Sequence, residues 1–153
     1  MKNFVYISVV FFLFSCATSY KIGSEGEKYK LPKELVLFLN SFEQSVTSHD
    51  TNKLLQNMDI GYKKDQLNGF LGGKTEPFIN EFFCGENVAT GTFKCLNFNE
   101  ISGIYFSSIQ KKDSTYTVYY SVSSKKITVD CSWDISVTKN NGKTVYGLVG
   151  AVG

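Results

Sequence analysis

One histidine, four cysteines and a scatter of carboxylates are the residues from which this sequence could build chemistry. His49 is the single histidine, so an imidazole metal site has no second ligand of its own type. Its neighbours Ser48 and Asp50 set it at a helix junction, and that structural role is the expectation. Cys16, Cys84, Cys95 and Cys131 show no C-x-x-C spacing, which removes the usual zinc pattern. Neither a metal nor a cofactor is expected. Among the acids, Asp130 and Asp134 alternate with apolar residues and should face water. Asp113 falls in a turn, Glu100 at the start of a strand, and Asp65 and Glu81 on short helices where solvation is the default. A general base tuned by burial therefore has no candidate. Ser107, Ser108 and Ser121 have no base beside them in the sequence. Gly69, Gly72 and Gly73 follow a helix, whereas a phosphate-binding loop opens one after a strand. No catalytic residue is assigned.

The frame that must carry these residues is 153 residues long, enough for one domain. Hydrophobic residues make up 42% and charged residues 20%, so a packed core is expected and a disordered chain is not. All 16 basic residues are lysine, and against 14 acids they leave a net charge of +2. That balance gives no electrostatic footprint for nucleic acid. Without arginine there is also no planar fork for phosphate or guanine.

The first stretch has a different character. Lys2 precedes an apolar run from Val5 to Phe14 broken only by Ser8. About a dozen apolar residues suit the core of a signal peptide and fall short of the roughly 20 that a spanning helix needs. The run ends in Leu13-Phe14-Ser15-Cys16, which resembles the lipobox of bacterial lipoproteins, although Phe14 is bulkier than the usual occupant of its place. That resemblance implies removal of residues 1–15, a lipid on Cys16, and anchoring of the mature chain to a membrane. Several acyl chains at about 0.8 kcal/mol per buried methylene make such an anchor essentially permanent. Ala17 after the cysteine, where aspartate marks retention at the inner membrane, favours the outer membrane of the cell envelope. Residues 17–30 are polar, contain Gly23 and Gly26 and lack periodicity. They read as a tether of 14 residues with a reach of about 20 Å.

The remainder, residues 31–153, reads as a single α+β domain. Leu35, Leu39, Phe42 and Val46 recur at helical spacing behind Pro32 and Glu34, and this helix should end near Ser48. Asp50 caps a second, shorter helix with Leu54, Leu55 and Met58. A third is expected over Lys63 to Leu71, stopped by Gly72-Gly73, and a fourth from Thr75 through Phe78, Ile79, Phe82 and Phe83. After Gly91 the period becomes two. Ile127, Val129, Cys131, Trp133, Ile135 and Val137 alternate with polar residues, as in a half-buried strand. Asn140-Asn141-Gly142 then signals a hairpin into a last strand from Lys143 to Val152. Strands over Ile101 to Gln110 and Thr115 to Val122, with a short one near Phe93, complete an antiparallel meander. Helices should cover one face of the sheet.

This order resembles the nuclear transport factor 2-like, or cystatin-like, α+β cone superfamily. The likeness is carried by the long first helix, the Ser48-His49-Asp50 junction, the Phe78-to-Phe83 helix and the long closing strands. It implies a curved sheet around an interior cavity, in which the superfamily's enzymes set a titratable base. No residue here matches the catalytic arrangement of its isomerases.

Two functions follow as expectations. The first is a non-catalytic envelope lipoprotein that binds an apolar small molecule, a glycan or a protein partner. The second is a small isomerase- or cyclase-type enzyme acting on an apolar substrate. If the aromatics line an apolar pocket, Phe70, Phe78, Tyr105 and Trp133 form its wall; otherwise they are core. In an oxidising compartment Cys84 and Cys95, with ten residues between them that include Gly85 and Gly91, should be bonded, leaving Cys131 as a buried thiol. The alternative is three reduced cysteines.

Overall fold

The computed structural model describes residues 31–113 and 115–150. The segments expected to be a signal peptide and a tether, with Cys16 between them, lie outside them, as do Ser114 and the last three residues. Helix α1 (Lys33–Thr47) starts where Pro32 holds an extended backbone, with Glu34 in the first turn facing the positive end of the helix. Its buried stripe is Leu35, Leu39, Phe42 and Val46, as the periodicity predicts. The helix stops because His49 takes a left-handed backbone, φ 52°. The His49 N–H then bonds the Val46 carbonyl and the Asp50 N–H the Ser45 carbonyl, a terminator in which glycine usually sits. Helix α2 (Thr51–Asn57) is capped by Asp50, whose carboxylate accepts the Lys53 N–H at 3.0 Å.

The third helix begins earlier than expected, because Asp59 accepts the Tyr62 N–H and so caps α3 (Ile60–Lys63). From Lys64 to Phe70 the helix widens to π geometry. That spacing lets Tyr62 and Leu67, five residues apart, both pack on the core. Helix α4 (Thr75–Phe82) buries Phe78, Ile79 and Phe82. Its N-cap is Lys74, not Thr75, and no side chain caps it.

Two short strands follow, β1 (Cys84–Asn87) and β2 (Phe93–Cys95), then a single 3-10 turn (Phe98–Glu100). The long meander comprises β3 (Ile101–Lys112), β4 (Thr115–Ser124), β5 (Thr128–Asn140) and β6 (Lys143–Val149). The domain is thus α+β, with one six-stranded antiparallel sheet in the order β2-β1-β5-β4-β3. Strand β6 also pairs with β5. It takes the Asp134-to-Asn140 half, while β1 takes Val129 and Asp130. Register shifts between Ile101 and Gly103 and between Phe106 and Ser108 bend β3. At the β5–β6 turn Asn141 and Gly142 both have positive φ, 49° and 77°, the backbone that a two-residue hairpin demands.

The helices cover the face of β5 that carries Val129, Cys131, Trp133 and Ile135, all buried. Val137, expected on the same buried face, is 40% exposed, because β5 runs on past the helices with only β6 beside it. Trp133 is fully buried, stacks on Phe82 at 5.0 Å and meets Phe42 edge-on at 5.2 Å. Its indole N–H donates to the Phe82 carbonyl at 3.0 Å, so the one polar atom in this cluster is satisfied. Among the described residues no helix is long and apolar enough to cross a membrane.

Candidate site on the outer face of the sheet

The face of the sheet turned away from the helices is built from the other half of the alternation. On β4 and β5 it presents Thr117, Tyr119, Ser121 and Ser123 beside Asp134, Ser132, Asp130 and Thr128, paired in that order. Hydroxyls bond carboxylates across the strands. Thr117 donates to Asp134 at 2.6 Å and Ser121 to Asp130 at 2.5 Å. Both carboxylates are exposed, as the alternation predicts.

Register places a longer row on this face. Phe93 on β2 faces Glu86 on β1, Glu86 faces Asp130 on β5, Asp130 faces Ser121 on β4, and Ser121 faces Tyr105 on β3. Five strands thus contribute one residue each, over about 19 Å at the usual strand spacing. Two carboxylates stand next to each other near the middle, an adjacency that disfavours the sheet by itself. The close approach of β1 to β5 rests on Gly85, since a Cβ there would run into the Asp130 carbonyl. The disulfide between Cys84 and Cys95 pins β1 to β2 two pairs away from Glu86 and Phe93.

Tyr105 closes the row at the β3 edge. A Cβ on Gly103 would meet the Tyr105 hydroxyl at 2.7 Å and two ring carbons at 2.9 Å, so the ring lies down over the space that the glycine leaves. The side chain is still 62% exposed. At the opposite end Phe93 is 68% exposed. Beside the row lies an open cleft of about 470 Å³, whose walls include Glu86, Asp130, Ser107, Gln110, Tyr119 and Ser132. Ser107 lies 3.5 Å from Ser121, oxygen to oxygen. No lysine lies in the row or in the cleft wall.

The four residues expected to wall an apolar pocket do not come together. Phe78 and Trp133 are closed into the core, whereas Phe70 is 80% exposed and Tyr105 belongs to the outer face. Phe70 points outward because the π turn commits Leu67, not Phe70, to the core. Tyr105 does so because it pairs with Ser121, an outer-face position. Cys16 lies outside the described residues. Cys84 and Cys95 are bonded, as their spacing predicts, although Cys84 belongs to β1 and not to the preceding helix. Cys131 is a buried free thiol. Burial, with the nearby Asp130 charge, pushes its pKa up to about 12, so it stays protonated and inert. His49 Nε2 donates to the Ile101 carbonyl at 2.8 Å, and its ring packs edge-on against Phe98. These contacts hold the left-handed junction and account for the residue.

Two acids escaped the sequence reading. Glu43, on the flank of the α1 stripe one residue after Phe42, reaches inward and accepts the hydroxyl of the fully buried Tyr120 at 2.8 Å. Its place beside the apolar stripe was the available signal. Glu86 carried none, because its neighbour Asp130 is known only once the strands are paired. Asp59, the cap of α3, has its pKa lowered by the Tyr62 N–H and by the Ser136 hydroxyl, against the effect of burial. Among the described residues no three histidines, cysteines or carboxylates are grouped to hold a metal ion. No protein-family model, curated protein or solved structure matches the chain.

Proposed function

We propose that this chain is a lipid-anchored protein of the bacterial cell envelope whose domain binds a polar ligand without transforming it. In this reading Cys16 carries the lipid, residues 17–30 are the tether, and the outer membrane is the address. The helices-then-meander order supports a cone-type domain of the nuclear transport factor 2-like kind. One observation carries the choice of a polar ligand over an apolar one. The space where the superfamily's enzymes keep a cavity is filled by Phe42, Phe82, Phe83, Tyr120 and Trp133, each in ring contact with another. The polar cleft lies on the other face.

Anchoring is tested by labelling cells with a fatty-acid analogue and measuring the intact mass of the mature chain. A lipidated chain beginning at residue 16, and an unprocessed precursor for Cys16→Ala, are the expected results. A mature chain that starts elsewhere and carries no lipid would end the reading.

The Glu43–Tyr120 pair favours the alternative, an isomerase- or cyclase-type enzyme. A carboxylate held against a tyrosine inside the helix–sheet seam has the residue types of a proton-transfer site. That reading requires exchange of the α-proton of an enolisable apolar ketone, lost in Glu43→Gln. Failure of the natural chain to catalyse such exchange removes it.

A further inference from the structure

We propose that the row Phe93–Glu86–Asp130–Ser121–Tyr105 is a binding track for an amine-bearing saccharide chain lying across the strands. This rests on the polar-ligand reading above and names the ligand class.

Three observations converge on that chemistry. The aromatic residues stand at the two ends of the row and are exposed, and the end of the Tyr105 ring occupies the space that Gly103 leaves for want of a side chain. Exposed rings can turn a face to the apolar side of a pyranose, as aromatic side chains do in ligand sites. Between the rings, Glu86, Asp130 and Ser121 supply carboxylate and hydroxyl oxygens, the partners that sugar hydroxyls require. The charge is one-sided. Two neighbouring carboxylates face outward with no lysine in the row or in the adjoining cleft, so a ligand carrying ammonium groups complements them and removes their mutual repulsion. Cationic groups also favour the faces of aromatic rings. A neutral glycan would use the rings and hydroxyls but leave the carboxylate pair uncompensated. A simple polyamine would use the charges but leave the stacking platforms idle.

The Cys84–Cys95 bond has a role in this track. It ties together the two strands that carry Glu86 and Phe93, so reducing it should weaken binding at that end and spare the Tyr105 end.

The test uses the full lipidated chain in detergent micelles, titrated calorimetrically with a glucosamine tetramer, its fully N-acetylated counterpart and spermidine. The glucosamine tetramer should bind at least about tenfold more tightly than either of the others, a difference of one well-placed charged or stacking contact. Tyr105→Ala and Phe93→Ala should each weaken it by about tenfold. Glu86→Gln should abolish the preference over the acetylated form. Gly103→Ala, whose Cβ must displace the Tyr105 ring, should resemble Tyr105→Ala without altering the melting temperature by more than a few degrees. Equal binding of the acetylated tetramer overturns the charge argument, and equal binding of spermidine overturns the saccharide. A lipidated chain that binds none of the three overturns the track while leaving the anchor intact. Paired carboxylates beside a glycosidic bond are also a hydrolytic arrangement. Chromatography of the bound tetramer therefore separates the two claims, since cleaved sugar would uphold the track and end the non-catalytic reading.

Discussion

The two faces of β5 are written in one alternation and behave as two different materials. On the inner face, Cys131, Trp133 and Ile135 are enclosed by α1, α4 and the neighbouring strands, and Trp133 is packed against the Phe42 and Phe82 rings. On the outer face, Asp130, Ser132 and Asp134 keep their water and exchange hydrogen bonds with β4 hydroxyls. Stability therefore resides on the inner side, and the proposed recognition on the outer one. Substitutions should separate cleanly according to face.

The largest effect should come from Trp133→Ala, which removes a fully buried indole at a cost of about 3–5 kcal/mol. Denaturant melts read this directly. A loss below that of any outer-face substitution would mean that the faces are exchanged. Next is the disulfide, which closes a short loop and contributes about 2–3 kcal/mol on the chain-entropy account. The double variant Cys84→Ser with Cys95→Ser should lose that amount. In the natural chain a thiol reagent should label Cys131 only after unfolding.

Smaller again is the contribution of Asp59, whose folded-state pKa is depressed by its bonds to the Tyr62 N–H and Ser136. Stability from this group is fully present above the ordinary carboxylate value of about 4 and is lost as the pH falls through the lower folded-state value. Asp59→Asn should therefore flatten the acid limb of the stability profile, and an unchanged limb in pH-resolved melts would count against the role. The smallest effect should be that of Asp134→Ala, under about 0.5 kcal/mol, because its partner Thr117 can bond water instead.

The sequence made β5 legible because its inner and outer residues differ in every pair from Val129 to Ile135. The β5–β6 hairpin was equally plain from Asn141-Gly142, and the α1 stripe from its spacing. Strand β1 was not visible. Cys84-Gly85-Glu86-Asn87 is too short to show alternation, and it is held in place by partners, a disulfide on one side and β5 on the other. The candidate site was illegible for the same reason. Its Glu86–Asp130 adjacency joins residues 44 apart in the chain, and only strand pairing reveals it. The pattern of β3 alone does not tell which face Tyr105 takes, because the bulges on either side of it reset the alternation. Phe70 was misplaced because a π turn shifts which residue of a helix reaches inward.

The far end of β5 bears on whether copies of the protein can pair edge to edge. Pairing with β4 runs to Ile135, while β6 accompanies β5 to Asn140, so a two-stranded ribbon projects past the body of the sheet. Among the described residues no strand lines its β4 side, and Val137 and Val145 are both exposed there. Such an open edge is a template for a strand from another chain. Lys139 and Lys143 stand at the tip, close to the turn, and two copies docking edge to edge would bring these like charges together. If the proposed lipid anchor holds the chains at a membrane surface, where molecules meet far more often than in dilute solution, those lysines would act as gatekeepers against filament growth.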